Sequence, residues 1–144
     1  MSSILFNNYK LKLFDSSAKI DLMADTIKLA LVTSAYTPDI DAHDFWDDVS
    51  ANEATGTGYT AGGATLASKT GAVVAASDLA KFDAADVAWT ISSALSARYA
   101  VLYKSTGTGA TSPLIGYVDF GSTYSLASGT LTIVWSANGV MTIA

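Results

Sequence analysis

The sequence predicts an all-β protein: one antiparallel β-sandwich domain over residues 1–144, jelly-roll-like, with one or two short helices. Three observations lead there. Apolar residues recur with a period of two in several short runs. Gly, Ser and Thr punctuate the chain between those runs, and Asn138-Gly139 separates the last two. Alternation sends successive side chains to opposite faces of a strand. Many short strands joined by turn-rich segments favour packed antiparallel sheets over a parallel sheet with crossover helices.

The N-terminal stretch reads two ways. Residues 3–14 fit an amphipathic helix, yet Tyr9, Leu11 and Leu13 alternate with Lys10 and Lys12 as in a strand. Residues 1–14 are therefore expected as an arm or a helix. Ile4, Leu5 and Phe6 form an apolar patch that either lies on a neighbouring subunit or folds back onto its own sandwich.

The strands follow. Ile27, Leu29 and Leu31 share a face of residues 26–33; Val87, Trp89 and Ile91 share another. Tyr99, Val101 and Tyr103 oppose Ala100, Leu102 and Lys104, and residues 114–120 form a further candidate. Leu131, Ile133 and Trp135 alternate with threonines, and Asn138-Gly139 then predicts a type I′ hairpin turn into residues 140–143. Leu29, Leu31, Val87, Trp89, Val101, Ile133 and Trp135 are the expected core. Asp41 is placed to cap a helix over residues 42–49, whose apolar side is Phe45, Trp46 and Val49. Of the three tryptophans, Trp46 has the best claim to exposure.

Composition narrows the function. The chain has one histidine (His43), one arginine (Arg98), one glutamate (Glu53) and no cysteine, so side chains for acid–base, nucleophilic or metal chemistry are scarce. No catalytic residue, cofactor or metal ligand is expected. Only 15% of residues are charged, against about a quarter in ordinary soluble domains, so the surface is either wetted by hydroxyls or covered by neighbouring subunits. Net charge is −5, and residues 39–53 hold six acids and no base. Nothing resembles a phosphate-neutralising basic stripe, and nucleic-acid binding is not expected. Met1 to Phe6 has no basic region before a long apolar run, and no stretch reaches 18 apolar residues, so neither a secretory leader nor a membrane span is expected.

Specific constellations fail in specific ways. As a calcium loop, the stretch from Asp39 has His43 at the fifth position, Asp44 at the sixth and Ser50 at the twelfth, where an oxygen ligand, Gly and Glu belong. An irregular calcium site among Asp39–Asp48 stays open, against a solvated helix start. His43 with Asp41 or Asp44 as orienter and a serine nucleophile has no Gly-x-Ser-x-Gly elbow to support it. Gly56-Thr57-Gly58-Tyr59-Thr60-Ala61-Gly62-Gly63 leads into a strand-like run and lacks the Lys of a nucleotide loop. It reads as a turning loop. A sugar-stacking platform built on Trp46, Trp89, Trp135 and the tyrosines is the remaining binding-module alternative.

Four blocks taken together add a resemblance. They are Thr26-Ile27-Lys28-Leu29-Ala30-Leu31-Val32-Thr33 with Tyr36-Thr37-Pro38, residues 56–66, Ala97-Arg98-Tyr99-Ala100-Val101-Leu102-Tyr103-Lys104, and residues 113–121. With them the chain resembles, over residues 9–143, a set of small virion structural proteins of tailed bacteriophages and prophages. The blocks contain no catalytic motif. The resemblance implies a non-enzymatic part of a phage particle: a capsid decoration (cement) protein, or a tail, fibre or head–tail junction component. Its partners would be the major capsid protein or other virion proteins, and copies of itself. Its location would be the virion. Ile4, Leu5, Phe6 and Trp46 are the expected interface residues.

Overall fold

In the computed structural model, which describes residues 2–15 and 19–144, strand accounts for 45% of the chain and helix for 11%. The all-β class holds at that level. Among the described residues, ten strands and two short α-helices follow in the order β1 (Ser2–Leu5), α1 (Asn7–Lys12), β2 (Ile27–Val32), α2 (Asp47–Ser50), β3 (Ala64–Thr65), β4 (Thr70–Val74), β5 (Leu79–Asp83), β6 (Val87–Ile91), β7 (Leu95–Lys104), β8 (Leu114–Leu126), β9 (Gly129–Ile133) and β10 (Met141–Ile143), with single 3-10 turns at Ala75–Ser77 and Gly109–Thr111.

All pairings are antiparallel, in sheets of five (β1-β8-β7-β2-β3), three (β10-β5-β4) and two strands (β6-β9), and no sheet closes into a barrel. The five-stranded sheet is the middle layer. One face, with Leu29 and Leu31 of β2, Ala100 and Leu102 of β7 and Ile115 of β8, packs on Phe82, Val87, Trp89, Ile91 and Leu131 of the smaller sheets. The other face, with Ala30 and Val32, Tyr99, Val101 and Tyr103, Leu114 and Tyr117, packs on Phe6, Tyr36, Trp46 and Val49. This explains why β2 is buried at five of its six positions rather than at alternate ones: water reaches neither face.

Four expectations are corrected. The N-terminal stretch is both strand and helix in turn: β1 pairs with β8 from Ser2↔Asp119 to Leu5↔Gly116, and the chain then enters α1, burying Tyr9. Met1 lies outside the described residues. The helix expected over residues 42–49 begins only at Asp47, with Trp46 rather than Asp41 at its N-cap. Asp39 and Asp48 instead draw the backbone of residues 41–45 into turns, which compete with helix.

The third correction concerns the last turn. Gly139 N–H does donate to Ser136 O at 2.8 Å, but Asn138 keeps a negative φ, so the turn is not type I′. Nor does it join a hairpin: β9 pairs with β6 and β10 with β5. Fourth, Ile133 and Trp135 are only half-buried at the rim of the core, whereas Leu29, Leu31, Val87, Trp89 and Val101 are inside it.

Candidate functional site

After β2 the chain leaves the sheet, crosses its aromatic face and returns. Thr33 N–H donates to Asn52 O at 2.9 Å, and Ala54 N–H to Leu31 O at 2.8 Å, so both ends of this flap are hydrogen-bonded to each other or to β2. The flap carries most of the chemistry-bearing side chains that the sequence singles out. It therefore shows what they do.

Asp39 Oδ1 accepts the Asp41 and Ala42 N–H groups at 3.0 Å each, which holds its pKa below the ordinary carboxylate value. Asp48 Oδ2 takes the Asp44 and Phe45 N–H groups at 3.0 and 3.3 Å. Asp41 accepts from the Asn7 amide and so ties the flap to α1. These acids build turns and cross-links. Among the described residues, no three His, Asp or Glu side chains converge on a point that could hold a cation.

His43 is a strut. Its Nδ1 accepts the Asp39 N–H at 3.2 Å, so the lone pair is on Nδ1, and the Tyr36 hydroxyl 2.8 Å away donates to the same atom. The His43 ring also stacks on Tyr36 at 5.4 Å. The geometry spends the nitrogen that a serine–histidine pair would need on anchoring the flap.

Beneath it the rings interlock. Trp46 lies parallel to Tyr103, centroids 4.5 Å apart and planes at 5°; Tyr99 meets Tyr36 and Tyr117 edge-on at 5.8 and 5.9 Å; Phe6 tilts against Tyr117 at 5.5 Å. Such offset and edge contacts add to the area each ring buries. Trp46, expected to be exposed, is only 8% accessible, and Phe6 is fully buried. Of the expected interface residues, Leu5 is half-buried and only Ile4, at 37%, is exposed. The patch at residues 4–6 thus belongs mainly to the molecule's own core.

The glycine loop is held by the chain's one glutamate. Glu53 Oε1 accepts the Tyr59 hydroxyl at 2.7 Å and the Gly62 N–H at 2.6 Å. Tyr59 Oη in turn accepts the Leu31 N–H at 2.9 Å, and the Tyr103 hydroxyl donates to Gly62 O at 2.7 Å. Burial, with Glu53 second, pushes the Tyr59 phenol far up and the Tyr103 phenol to about 12. The glycines serve close approach: a Cβ on Gly58 would stand 1.9 Å from Thr90 O, and one on Gly63 2.1 Å from Leu29 O. Both also have φ above +70°. This network escaped the reading of the sequence, though a sole glutamate three residues before a glycine run was its visible trace.

On the opposite side, a cleft of about 360 Å³ lies between β1 and the turn leading into β10, and no charged side chain lines it. The β7–β8 pair carries two irregularities: Ile115 is skipped between the pairs Leu102↔Gly116 and Tyr103↔Leu114, and residues 120–123 bulge opposite Arg98, where Arg98 Nε meets Asp119 Oδ1 at 3.2 Å. Comparison with protein-family models, with curated proteins and with solved structures finds no match for this chain.

Proposed function

We propose that the chain is a non-enzymatic structural component of a tailed-phage virion, specifically a capsid decoration protein that stabilises the shell through protein–protein contacts. The observation that carries this reading is where the four resembling blocks fall. They supply β2, the glycine loop with β3, β7 and the first half of β8, which are neighbours in the order β8-β7-β2-β3. The resemblance thus maps to a load-carrying scaffold, as expected of relatives that share an architecture and no active site. The side chains of the flap support it too, since His43, Asp39, Asp41, Asp48 and Glu53 all serve as cross-links.

The finer fold statement belongs to the same proposal: the five-stranded sheet and the two smaller sheets form the leaves of a jelly-roll-like sandwich, for which the shared core of Leu29, Leu102, Ile115, Phe82 and Trp89 is the support. The partners are the major capsid protein or other virion proteins, and second copies of the chain. A carbohydrate platform has lost its support: Trp46 and Trp89 are interior, and Trp135 Nε1 is occupied by Ala85 O at 3.1 Å.

Quantitative mass spectrometry of purified particles from a lysogen that carries the gene tests the proposal. A copy number comparable with that of the major capsid protein is expected, together with capsids that rupture at lower temperature when the gene is deleted. A few copies per particle would move the chain to the tail. Absence from particles would overturn the reading.

A further inference from the structure

β4 is an edge strand, last in the order β10-β5-β4, and among the described residues no strand lies on its outer side. Native edges are normally guarded by Lys, Pro, a bulge or brevity. From Thr70 to Ser77 there is no charge and no proline, and the β4–β5 register runs unbroken from Thr70↔Asp83 to Val74↔Leu79.

The sheet also overhangs its core. Gly71↔Phe82↔Met141 form one cross-strand row and Val73↔Ala80↔Ile143 the next on the same face. Phe82 and Met141 pack in the core, but Val73 is 82% and Ile143 42% accessible. The other face is mixed: it carries the Lys81–Asp83 ion pair at 3.2 Å beside Ala72 and the half-buried pair Val74↔Leu79. The apolar face thus runs past the core, and its end row of Val73, Ala80 and Ile143 is left exposed.

We propose that this edge binds a second copy of the chain: β4 pairs antiparallel with β4 of the other copy about a two-fold axis at Ala72, fusing two three-stranded sheets into one of six strands. Antiparallel strands related by such an axis keep the same faces together. Val73 of each copy then stands beside Gly71 of the other. Gly71 presents no side chain, and Met23 lies just below it, its sulfur 3.8 Å from where a Gly71 Cβ would stand and 48% of the residue exposed. Each copy thus offers the gap that the other's exposed valine fills.

Charge points the same way. Two chains of net charge −5 repel over most orientations, whereas this edge opposes no like charges. Lys69, whose ammonium is held by Asp25 O next to the start of β4, comes alongside the other copy's hairpin tip, which bears Asp78. The contact is closed and self-complementary. Five ladder residues a side fall short of the roughly 800 Å² per partner of a standard interface, so association is weak and concentration-dependent. The proposal does not depend on the chain belonging to a virion.

Sedimentation of the full chain over a concentration series tests it. The wild type is expected to show a monomer–dimer equilibrium. Ala72→Glu places a carboxylate beside Lys81, its cross-strand neighbour in the monomer, and two carboxylates face to face in the dimer. It should be folded by circular dichroism and monomeric, as should Ala72→Lys, while an equal mixture of the two recovers dimer. Val73→Lys, at a position that is 82% exposed and so carries little risk to folding, should also abolish dimer. A wild type that stays monomeric at its highest soluble concentration overturns the proposal. So does a dimer indifferent to Ala72→Glu and Val73→Lys, or a mixture that remains monomeric.

Discussion

The aromatic face of the central sheet and the inner face of the three-stranded sheet begin with the same problem, an apolar row that water must not reach, and end differently. Tyr99, Val101 and Tyr103 are covered by a long flap from elsewhere in the chain, pinned at both ends and stitched by His43 and Glu53. Val73, Ala80 and Ile143 receive no cover. Polar groups sealed under the flap are paired: among the described residues, no buried side-chain nitrogen or oxygen lacks a hydrogen-bond partner. The comparison separates a part of the molecule that is complete in itself from a part that another chain must finish.

The largest effect that could break the comparison is alkaline. Burial raises the phenol pKa of Tyr36 and Tyr59, and that of Tyr103 to about 12, all on or beside the flap-covered face. Phenols of the unfolded chain ionise near about 10. A raised folded value means the stability is fully present below the unfolded value and is lost as pH rises through the folded one. Tyrosinate absorbance should therefore lag behind that of free tyrosine above about pH 10 and then rise together with the loss of circular dichroism. Early, independent ionisation would show the flap to be loose. On the acid side, Asp39 and Asp119 have lowered values, but Asp39 is exposed and Asp119 is only half-buried in its pair with Arg98, so unfolding there should be mild.

Truncating rings compares the regions directly. Trp46→Ala should cost about 3–5 kcal/mol in denaturant melts, the usual loss for a buried aromatic. Trp135→Ala, at the half-buried rim, should cost roughly 1–2 kcal/mol. Equal costs would erase the distinction. Glu53→Ala comes next, at about 2–3 kcal/mol, because it strands the Tyr59 hydroxyl and the Gly62 N–H that the carboxylate accepts. Smallest is Val73→Thr, which should leave monomer stability within about 0.5 kcal/mol, since its side chain touches little in a single copy.

Much of the scaffold was legible in the sequence and most of the site was not, for one physical reason. Alternation at Ile27-Leu29-Leu31, Val87-Trp89-Ile91 and Tyr99-Val101-Tyr103 records which way side chains point, and those strands form where expected. It does not record which strand lies alongside. Asn138-Gly139 marks a turn, but a turn is local and pairing is not: Met141 goes to Phe82 and Ile133 to Val87, in different sheets. Trp46 was unreadable in the same way. Acids surround it in the sequence, and only the tertiary fold shows them tied into turns while the indole rests on Tyr103. The scarcity of His, Glu and Arg was legible, whereas their use as cross-links was visible only in three dimensions.

Backbone hydrogen exchange of the wild-type chain at low and high protein concentration tests most directly the division between a self-sufficient central sheet and an unfinished edge. Peptides from β2 and β7 should be strongly and equally protected at both concentrations, because their ladders are closed within one copy. The β4 peptide, Thr70–Val74, should exchange quickly when dilute and gain protection as concentration rises. Protection of β4 that is high and independent of concentration, or loss of protection in β2 and β7 on dilution, would contradict the account.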